Sequence, residues 1–327
     1  MAEQIATAET MALWRAEQGK AVPGRGPIPT PGAEQVLIRV AACGVNRADL
    51  LQVAGHYPPP AGAPDHLGLE VSGIVEVAAG PFQKGDRVMA LLAGGGYAEY
   101  VAVHVGSVLP VPATMSMSTA AALPEAFVTA YQCLFALGGL KAGERVLIHA
   151  GASGVGTAAI QLARAAGAEV TVTCGSQEKA SRCVSLGADQ AINRRTQDFA
   201  DHLTGVDVVL DPVGGDYLAR NLRIMAPQGR LIQIAMMGGR RAEVDLAQLL
   251  AKRLTLIGST LRSQPQAVKT ELVQGLWSDF GEAFHDGRIA PLVDSRYDFE
   301  SVPEAHRRMA ENGNIGKLVL ELNSVCP

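Results

Sequence analysis

Cysteine is scarce and poorly placed for a structural role. The five in this 327-residue chain, at positions 43, 133, 174, 183 and 326, form no Cys-x-x-Cys pair and cannot all pair internally. That argues against a disulfide scaffold and for reduced thiols in a reducing compartment. Positive charge is not in excess: Lys plus Arg total 28 against 32 Asp plus Glu, a formal charge of −4, so no broad positive field exists to hold nucleic acid or an anionic membrane. No uninterrupted apolar run reaches the roughly eighteen residues of a membrane span. The opening MAEQIATAET has neither a basic n-region nor an apolar h-region. A soluble cytoplasmic protein that binds neither nucleic acid nor membrane is the expectation. The seven histidines include no His-Glu-x-x-His, and His56, His66 and His149 read as local hydrogen-bonding residues. No repeat at solenoid periods is visible.

What is present is an ordinary globular composition, 48% hydrophobic and 18% charged, with 36 glycines and 18 prolines spread along the chain. At roughly 100–200 residues per domain the length suggests about two domains. Residues 1–10 read as a loose polar extension. From 36 to about 109 short β-type runs, VLIRVAA, VSGIVEV, RVMALL and YAEYVAV, are separated by Gly, Pro and Asp. A long apolar helical stretch follows over 124–137. Then strands RVLIHA, EVTVT, VDVVLD, GRLIQIA and LTLIG alternate with helices near 157–166, 177–186, 215–225 and 245–252. That alternation predicts an α/β domain with a doubly wound parallel sheet. The pattern loosens after about 272 and closes with a helix near 303–311 and a strand, KLVLEL, expected to return to the N-terminal domain. The domain boundaries are therefore placed at 1–128, 129–272 and 273–327.

The most informative stretch runs from Arg145 through HAGASGVG. A buried strand ends at His149 and Ala150, a turn follows at Gly151, Ser153, Gly154, Val155 and Gly156, and a small-residue helix begins. Such a turn lets backbone approach a pyrophosphate and aims N–H groups at it from a helix N-terminus. A tight strand-to-helix turn needing small residues is the plainer alternative, but the strand before and the strand after match what the mechanism requires. The near-match to a Gly-x-Ser-x-Gly nucleophile elbow lacks its last glycine, which disfavours a hydrolase. An NAD site carries an acid about 20 residues after the glycines. Here the second strand ends Cys174-Gly175-Ser176, with Lys179 following and Arg194 after the next short strand. Ser176, Lys179 and Arg194 suit a 2′-phosphate, so NADPH is expected over NADH; the alternative is that both cations are solvated surface charges.

The runs NRADLLQVAGHYPPP (46–60), LGLEVSG (67–73), ALPEAFVTAYQ (122–132), HAGASGVGTAAIQ and NIGKLVLEL resemble the NAD(P)H:quinone oxidoreductase branch of the medium-chain dehydrogenase/reductase superfamily. The resemblance covers the chain from about Met11 onward. It implies a GroES-like β-rich catalytic domain made of N- and C-terminal segments, an inserted Rossmann domain, and a cleft for NADPH and substrate. In the zinc alcohol dehydrogenases of that superfamily a Cys-Gly-Val-Cys-type segment and a Gly-His-Glu segment supply metal ligands. This chain has Cys43-Gly44-Val45-Asn46 and Gly68-Leu69-Glu70 there, so zinc is not expected in a catalytic role. The four-cysteine lobe of a structural zinc is absent too. Without a Lewis acid to bind an alkoxide, quinones or conjugated enones become better substrates than alcohols.

The resemblance nominates Tyr57 and Ser153 as catalytic; the plainer roles are a tyrosine packed under a Pro-rich loop and a small turn residue. It places Asn46 and Thr129 near the nicotinamide end, the turn at Met236, Met237, Gly238 and Gly239 against its ring or ribose, and Asn314 and Lys317 as weaker cofactor candidates. Leu51 and Arg194 depart from the family pattern, which leaves substrate size open. The family commonly dimerises through an edge strand, for which 254–261 is the candidate. The leading expectation is an NADPH-dependent quinone reductase. An enone or enoyl-thioester reductase, and an NADPH-binding sensor with negligible turnover, are the alternatives.

Overall fold

The computed structural model describes residues 9–322, so most of the expected extension, and Cys326, lie outside the described residues. The first strand, Thr10–Glu17, begins at the last residue assigned to that extension. The chain divides into two compact units. One contains the chain up to Glu125, Pro265–Trp277 and the residues from Val293 on; the other contains Ala126–Gln264 and Ser278–Leu292. The arrangement is nested, with more crossings than the boundaries expected at 128/129 and 272/273, because the helix Gln266–His285 contributes to both units.

The first unit opens with a hairpin of Thr10–Glu17 and Lys20–Pro27, turned at Gln18 and Gly19 in the left-handed region. Its seven-stranded sheet runs, in spatial order, Val293–Asp298, Lys317–Glu321, Gln35–Val45, Glu70–Val77, Arg87–Leu91 and Val108–Pro110, with Tyr100–His104 also paired to Gln35–Val45. Val36, Ile38, Val40, Val71, Val75, Val88, Leu318 and Leu320 pack in one buried cluster. The expected VLIRVAA strand extends in both directions, and KLVLEL pairs antiparallel with it, Leu318 opposite Val45 and Leu320 opposite Cys43. The strand Val293–Asp298 was not expected: none of its residues is fully buried, so its sequence shows no hydrophobic alternation.

The second unit holds a six-stranded sheet in the order Gln190–Asn193, Glu169–Cys174, Arg145–Ile148, Val206–Asp211, Met225–Gln233 and Thr255–Gly258, all parallel. The strand order reverses between Arg145–Ile148 and Val206–Asp211. In open α/β sheets ligands sit beyond the carboxyl ends of the strands at that reversal. The helices Gly154–Ala165, Gln177–Ser185, Tyr217–Ile224 and Leu246–Lys252 intervene. The first starts three residues before the expected 157, because the glycines of the turn already adopt helical geometry once Ser153 caps them.

Two differences from the sequence reading concern helices. The apolar stretch expected over 124–137 is the helix Pro124–Tyr131 followed by a wider π-type turn, Gln132–Leu137. The longer span Met117–Leu137 is apolar and long enough to cross a membrane by composition, but 67% of its most apolar window is buried. The region after 272, expected to be irregular, belongs to the 20-residue helix Gln266–His285. Leu272, Leu276, Phe280 and Phe284 are all buried and recur every four residues, the signal that marks it.

Candidate functional site

In the second unit the residues expected to hold a dinucleotide gather at the carboxyl ends of the strands. Arg145–Ile148 leads through His149 into Ala150, which takes a left-handed conformation with φ of +52°. A non-glycine residue in that region costs about 1 kcal/mol and persists only where its surroundings fix it. The fixing bonds are Gly151 N to Thr173 O at 2.9 Å and Ser153 N to Ala150 O at 2.9 Å. Gly151 and Gly156 have no room for a side chain. A Cβ at Gly151 would lie 2.6 Å from Val172 Cβ, and one at Gly156 would lie 2.5 Å from the Ala150 carbonyl. Both glycines are therefore required by the close packing of the turn on the neighbouring strand and on its own backbone, the tight strand-to-helix geometry that a pyrophosphate-binding turn uses.

Ser153 is the N-cap of the helix Gly154–Ala165, its Oγ accepting from Gly156 N at 3.0 Å. This cap holds the first helical turn so that the N–H groups of Gly154 and Val155, which have no partner within a helix, face outward from its start. A carboxylate or phosphate placed there gains the helix dipole as well.

The next strand ends at Cys174, and Ser176 caps the helix Gln177–Ser185 by accepting from Lys179 N at 3.2 Å. Arg194 N donates to Cys174 O at 2.9 Å, which continues the parallel pairing of Asn193 with Cys174 and sets Arg194 beside this corner. Its guanidinium Nη2 lies 3.7 Å from where a Cβ of Gly175 would stand. The Lys179 and Arg194 charges both act on the buried Cys174 thiol, drawing its pKa down against the larger effect of burial, which raises it. Gly175, Ser176, Lys179 and Arg194 are thus brought to one corner. On the other side of the strand reversal, Gly238 N donates to Val213 O at 2.7 Å and Gly239 bridges Gly214, so the Met237 turn is pinned by backbone while Met236 and Met237 stay exposed. Thr129 lies half-buried on the helix Pro124–Tyr131.

The first unit contains a buried polar cluster that sequence reasoning did not assemble. Asn46 caps the helix Arg47–Val53; its Nδ2 donates to Glu70 Oε1 at 2.9 Å and its Oδ1 accepts from Lys317 Nζ at 2.5 Å. Lys317 also donates to Glu70 Oε1 at 2.6 Å and to Val45 O at 2.9 Å. Three acceptors match its three ammonium hydrogens, so Lys317 is placed to orient Asn46 rather than to reach a phosphate. Glu70 takes a further bond from Glu125 N at 2.9 Å. Gly44 makes room for this carboxylate, since a Cβ there would collide with Glu70 Oε1. Asn314 turns inward on its own loop, its Nδ2 donating to Gly316 O at 2.6 Å.

Beside this cluster Asp49, fully buried, accepts from Asn46 N at 2.8 Å, Gly68 N at 3.2 Å and Tyr97 Oη at 3.0 Å. Burial pushes its carboxyl up to about 6, with those bonds and the Lys317 charge pulling the other way. His306 Nε2 lies 3.4 Å from the same Tyr97 hydroxyl, and burial lowers its pKa to about 4. Cys43 donates its thiol hydrogen to Gly96 O at 2.8 Å, and burial raises its pKa well above the usual thiol value. A protonated thiol, an amide already bonded at both ends and an ammonium among the oxygens do not suit a divalent metal ion. Among the described residues no group of three or more His, Cys, Asp or Glu side chains is placed to hold one. Tyr57 sits half-buried in the loop after Arg47–Val53, two residues past Gly55 at φ of +76°. It belongs to the first unit and Ser153 to the second.

Known proteins bear on these arrangements. Residues 32–113 match the family model described as an alcohol dehydrogenase GroES-like domain, and 154–277 match one described as a zinc-binding dehydrogenase. The chain is 33% identical over 315 residues to the rat synaptic vesicle membrane protein VAT-1 homolog, covering 89% of this chain and 78% of that protein. It is 32% identical over 310 residues to mouse quinone oxidoreductase, covering 90% and 91%. The solved structure of CurK enoyl reductase superposes with a TM-score of 0.83 at 31% identity, covering 96% of this chain and 99% of that one.

Proposed function

The chain belongs to the medium-chain dehydrogenase/reductase superfamily, among its quinone oxidoreductase-like oxidoreductases that use a nicotinamide cofactor, and on that premise we propose that it is a zinc-independent, NADPH-dependent quinone reductase. The observation that carries this reading is Lys317. Its ammonium is bonded to Asn46 and Glu70, which lie in the two segments that, by the resemblance, correspond to the Cys-Gly-Val-Cys and Gly-His-Glu segments of the zinc enzymes. A fixed, already compensated cation cannot accept an alkoxide as a ligand, which favours substrates that take up hydride without Lewis-acid help.

The glycine turn and the helix it opens suit the pyrophosphate, with Gly154 and Val155 N–H groups as donors. Ser176, Lys179 and Arg194 suit a 2′-phosphate, which an acidic residue would repel. When bound, a reduced nicotinamide supplies hydride, so the chain's residues have only to bind, orient and exclude water. Asn46 is oriented for that purpose by Glu70 and Lys317. Tyr57 is assigned to donate a hydrogen bond, and in turn a proton, from its phenol to the reduced oxygen; no covalent nucleophile is required. Ser153 acts through its cap on the phosphate turn.

Oxidation of NADPH by a panel of 1,2- and 1,4-quinones tests this: no stimulation by any of them would sink it. The likeness to CurK enoyl reductase favours a second reading, reduction of an enone or enoyl thioester. Product analysis separates the two, since only the second saturates a carbon–carbon bond. A homodimer formed through the exposed edge strand Thr255–Gly258, and residence in the cytoplasm, complete the proposal.

A further inference from the structure

His149 is fully buried at the reversal of strand order in the second unit, one residue before left-handed Ala150. Its ring packs in one cluster with those of Phe199 and Tyr217, whose centroids lie 4.7 and 4.8 Å from it and 5.3 Å from each other. Nδ1 lies 2.9 Å from Thr173 Oγ1, and Nε2 lies 2.8 Å from Asn221 Oδ1. An amide oxygen only accepts, so Nε2 carries the hydrogen; in the neutral ring Nδ1 then accepts from the Thr173 hydroxyl. Burial lowers the pKa of the ring, which keeps it neutral. The chain of bonds continues: Asn221 Nδ2 donates to Asp211 Oδ2 at 3.0 Å, and Asp211 Oδ1 accepts from Val213 N at 2.6 Å and Gly214 N at 3.0 Å. Gly214 bridges Gly239.

This chain of bonds starts on the strand that leads to Gly175 and Ser176. It passes the residue that precedes the phosphate turn, crosses the reversal, and ends on the turn that pins Gly238 and Gly239. We propose that His149 is a positioning residue for the dinucleotide: its ring ties the two halves of the sheet together and sets the spacing between the phosphate turn and the Gly214/Gly239 turn. The proposal rests on the reading above, that the cofactor lies across these strand ends. A ligand contacting both turns depends on that spacing, whereas one contacting only the adenine side does not.

The test is titration calorimetry of the full-length protein with NADPH and with 2′,5′-ADP, the adenine-side fragment. His149→Phe keeps an aromatic ring but removes both hydrogen bonds; Asn221→Leu breaks the chain on the far side of the reversal and serves if the first variant fails to fold. The expected result is NADPH affinity reduced roughly tenfold, because the two turns are no longer held at the spacing the dinucleotide needs, with the fragment's affinity changed by less than about twofold. A general loosening of the fold would weaken both ligands by the same factor, and that result overturns the proposal. So does unchanged binding of both. A parent protein that binds the fragment and no dinucleotide, or neither ligand, overturns the cofactor reading itself and the proposal with it.

Discussion

Ser176, Lys179 and Arg194 occupy the corner where an acidic residue would select NADH. Of these Arg194 is exposed, and its guanidinium stands over Gly175. A charge-assisted bond contributes roughly 1.5–3 kcal/mol, about tenfold to a hundredfold in affinity. Arg194→Glu is therefore expected to raise KM for NADPH at least about tenfold while leaving KM for NADH nearly unchanged, as steady-state kinetics with both cofactors will read. If both rise together, Arg194 supports the corner without choosing the cofactor. A second single-residue effect lies in the first unit, where Asp49 and His306 share Tyr97 and titrate in opposite senses. The folded-state pKa of His306, about 4, lies below its ordinary 6.5. Its contribution to stability is thus present above 6.5 and lost as pH falls toward 4. Asp49, raised from 3.8 to about 6, contributes stability below 3.8 that is lost as pH rises to 6. His306→Phe removes only the first effect. Urea denaturation at pH 7 and 4.5 is expected to show a smaller acid-induced loss in the variant, by up to about 2 kcal/mol; an equal loss would place acid sensitivity elsewhere.

The helix Gly154–Ala165 depends on its first turn, because three of the residues there, Gly154, Val155 and Gly156, follow a strained strand end and two of them are poor helix formers. Ser153 offsets this by capping Gly156 N. Ser153→Ala is expected to lower unfolding stability by about 1 kcal/mol and Ser153→Gly by only a few tenths, measured by urea denaturation of the intact protein. An equal loss in both variants would mean that the hydroxyl is not acting as a cap. Strands and helices with their own periodicity were legible: Gln35–Val45, Glu70–Val77 and the strands of the parallel sheet other than the short Gln190–Asn193 coincide with runs visible in the chain. Val293–Asp298 was not, since a strand with no fully buried residue leaves no alternation to read. The helix Gln266–His285 did leave one, a four-residue spacing of large apolar side chains. It escaped because its residues serve two units and the polar ones between them read as loop.

Across the whole chain the Lys317–Glu70 pair ties the last strand to the fourth, over 247 residues of sequence, with side chains 4% and 0% exposed. Lys317→Met leaves the Glu70 carboxylate buried without its cation, at a cost of about 3–5 kcal/mol. Combining it with Glu70→Gln is expected to recover much of that loss, because the neutral amide can still accept from Glu125 N and, once Asn46 turns its own amide over, donate to the Asn46 oxygen that Lys317 has released; denaturation midpoints of the single and paired variants measure this. Full loss in the paired variant would show that packing, not charge, is at stake. At the opposite limit of burial, Leu256 on the edge strand is 38% exposed. If the proposed dimer forms there, Leu256→Lys is expected to halve the mass seen by light scattering; a parent already monomeric would refute that interface. The sequence by itself determined the doubly wound sheet, the glycine turn and the absence of an acid at the second strand end. Each of these is local, a matter of hydrophobic period, missing Cβ atoms or charge within a few residues. Only the tertiary structure decided that Lys317 turns to Asn46 and Glu70, that Asp49, Tyr97 and His306 share a proton network, and that His149 spans the strand reversal. Those partners lie tens to hundreds of residues apart, and buried polar groups are matched by geometry that no spacing in the chain encodes.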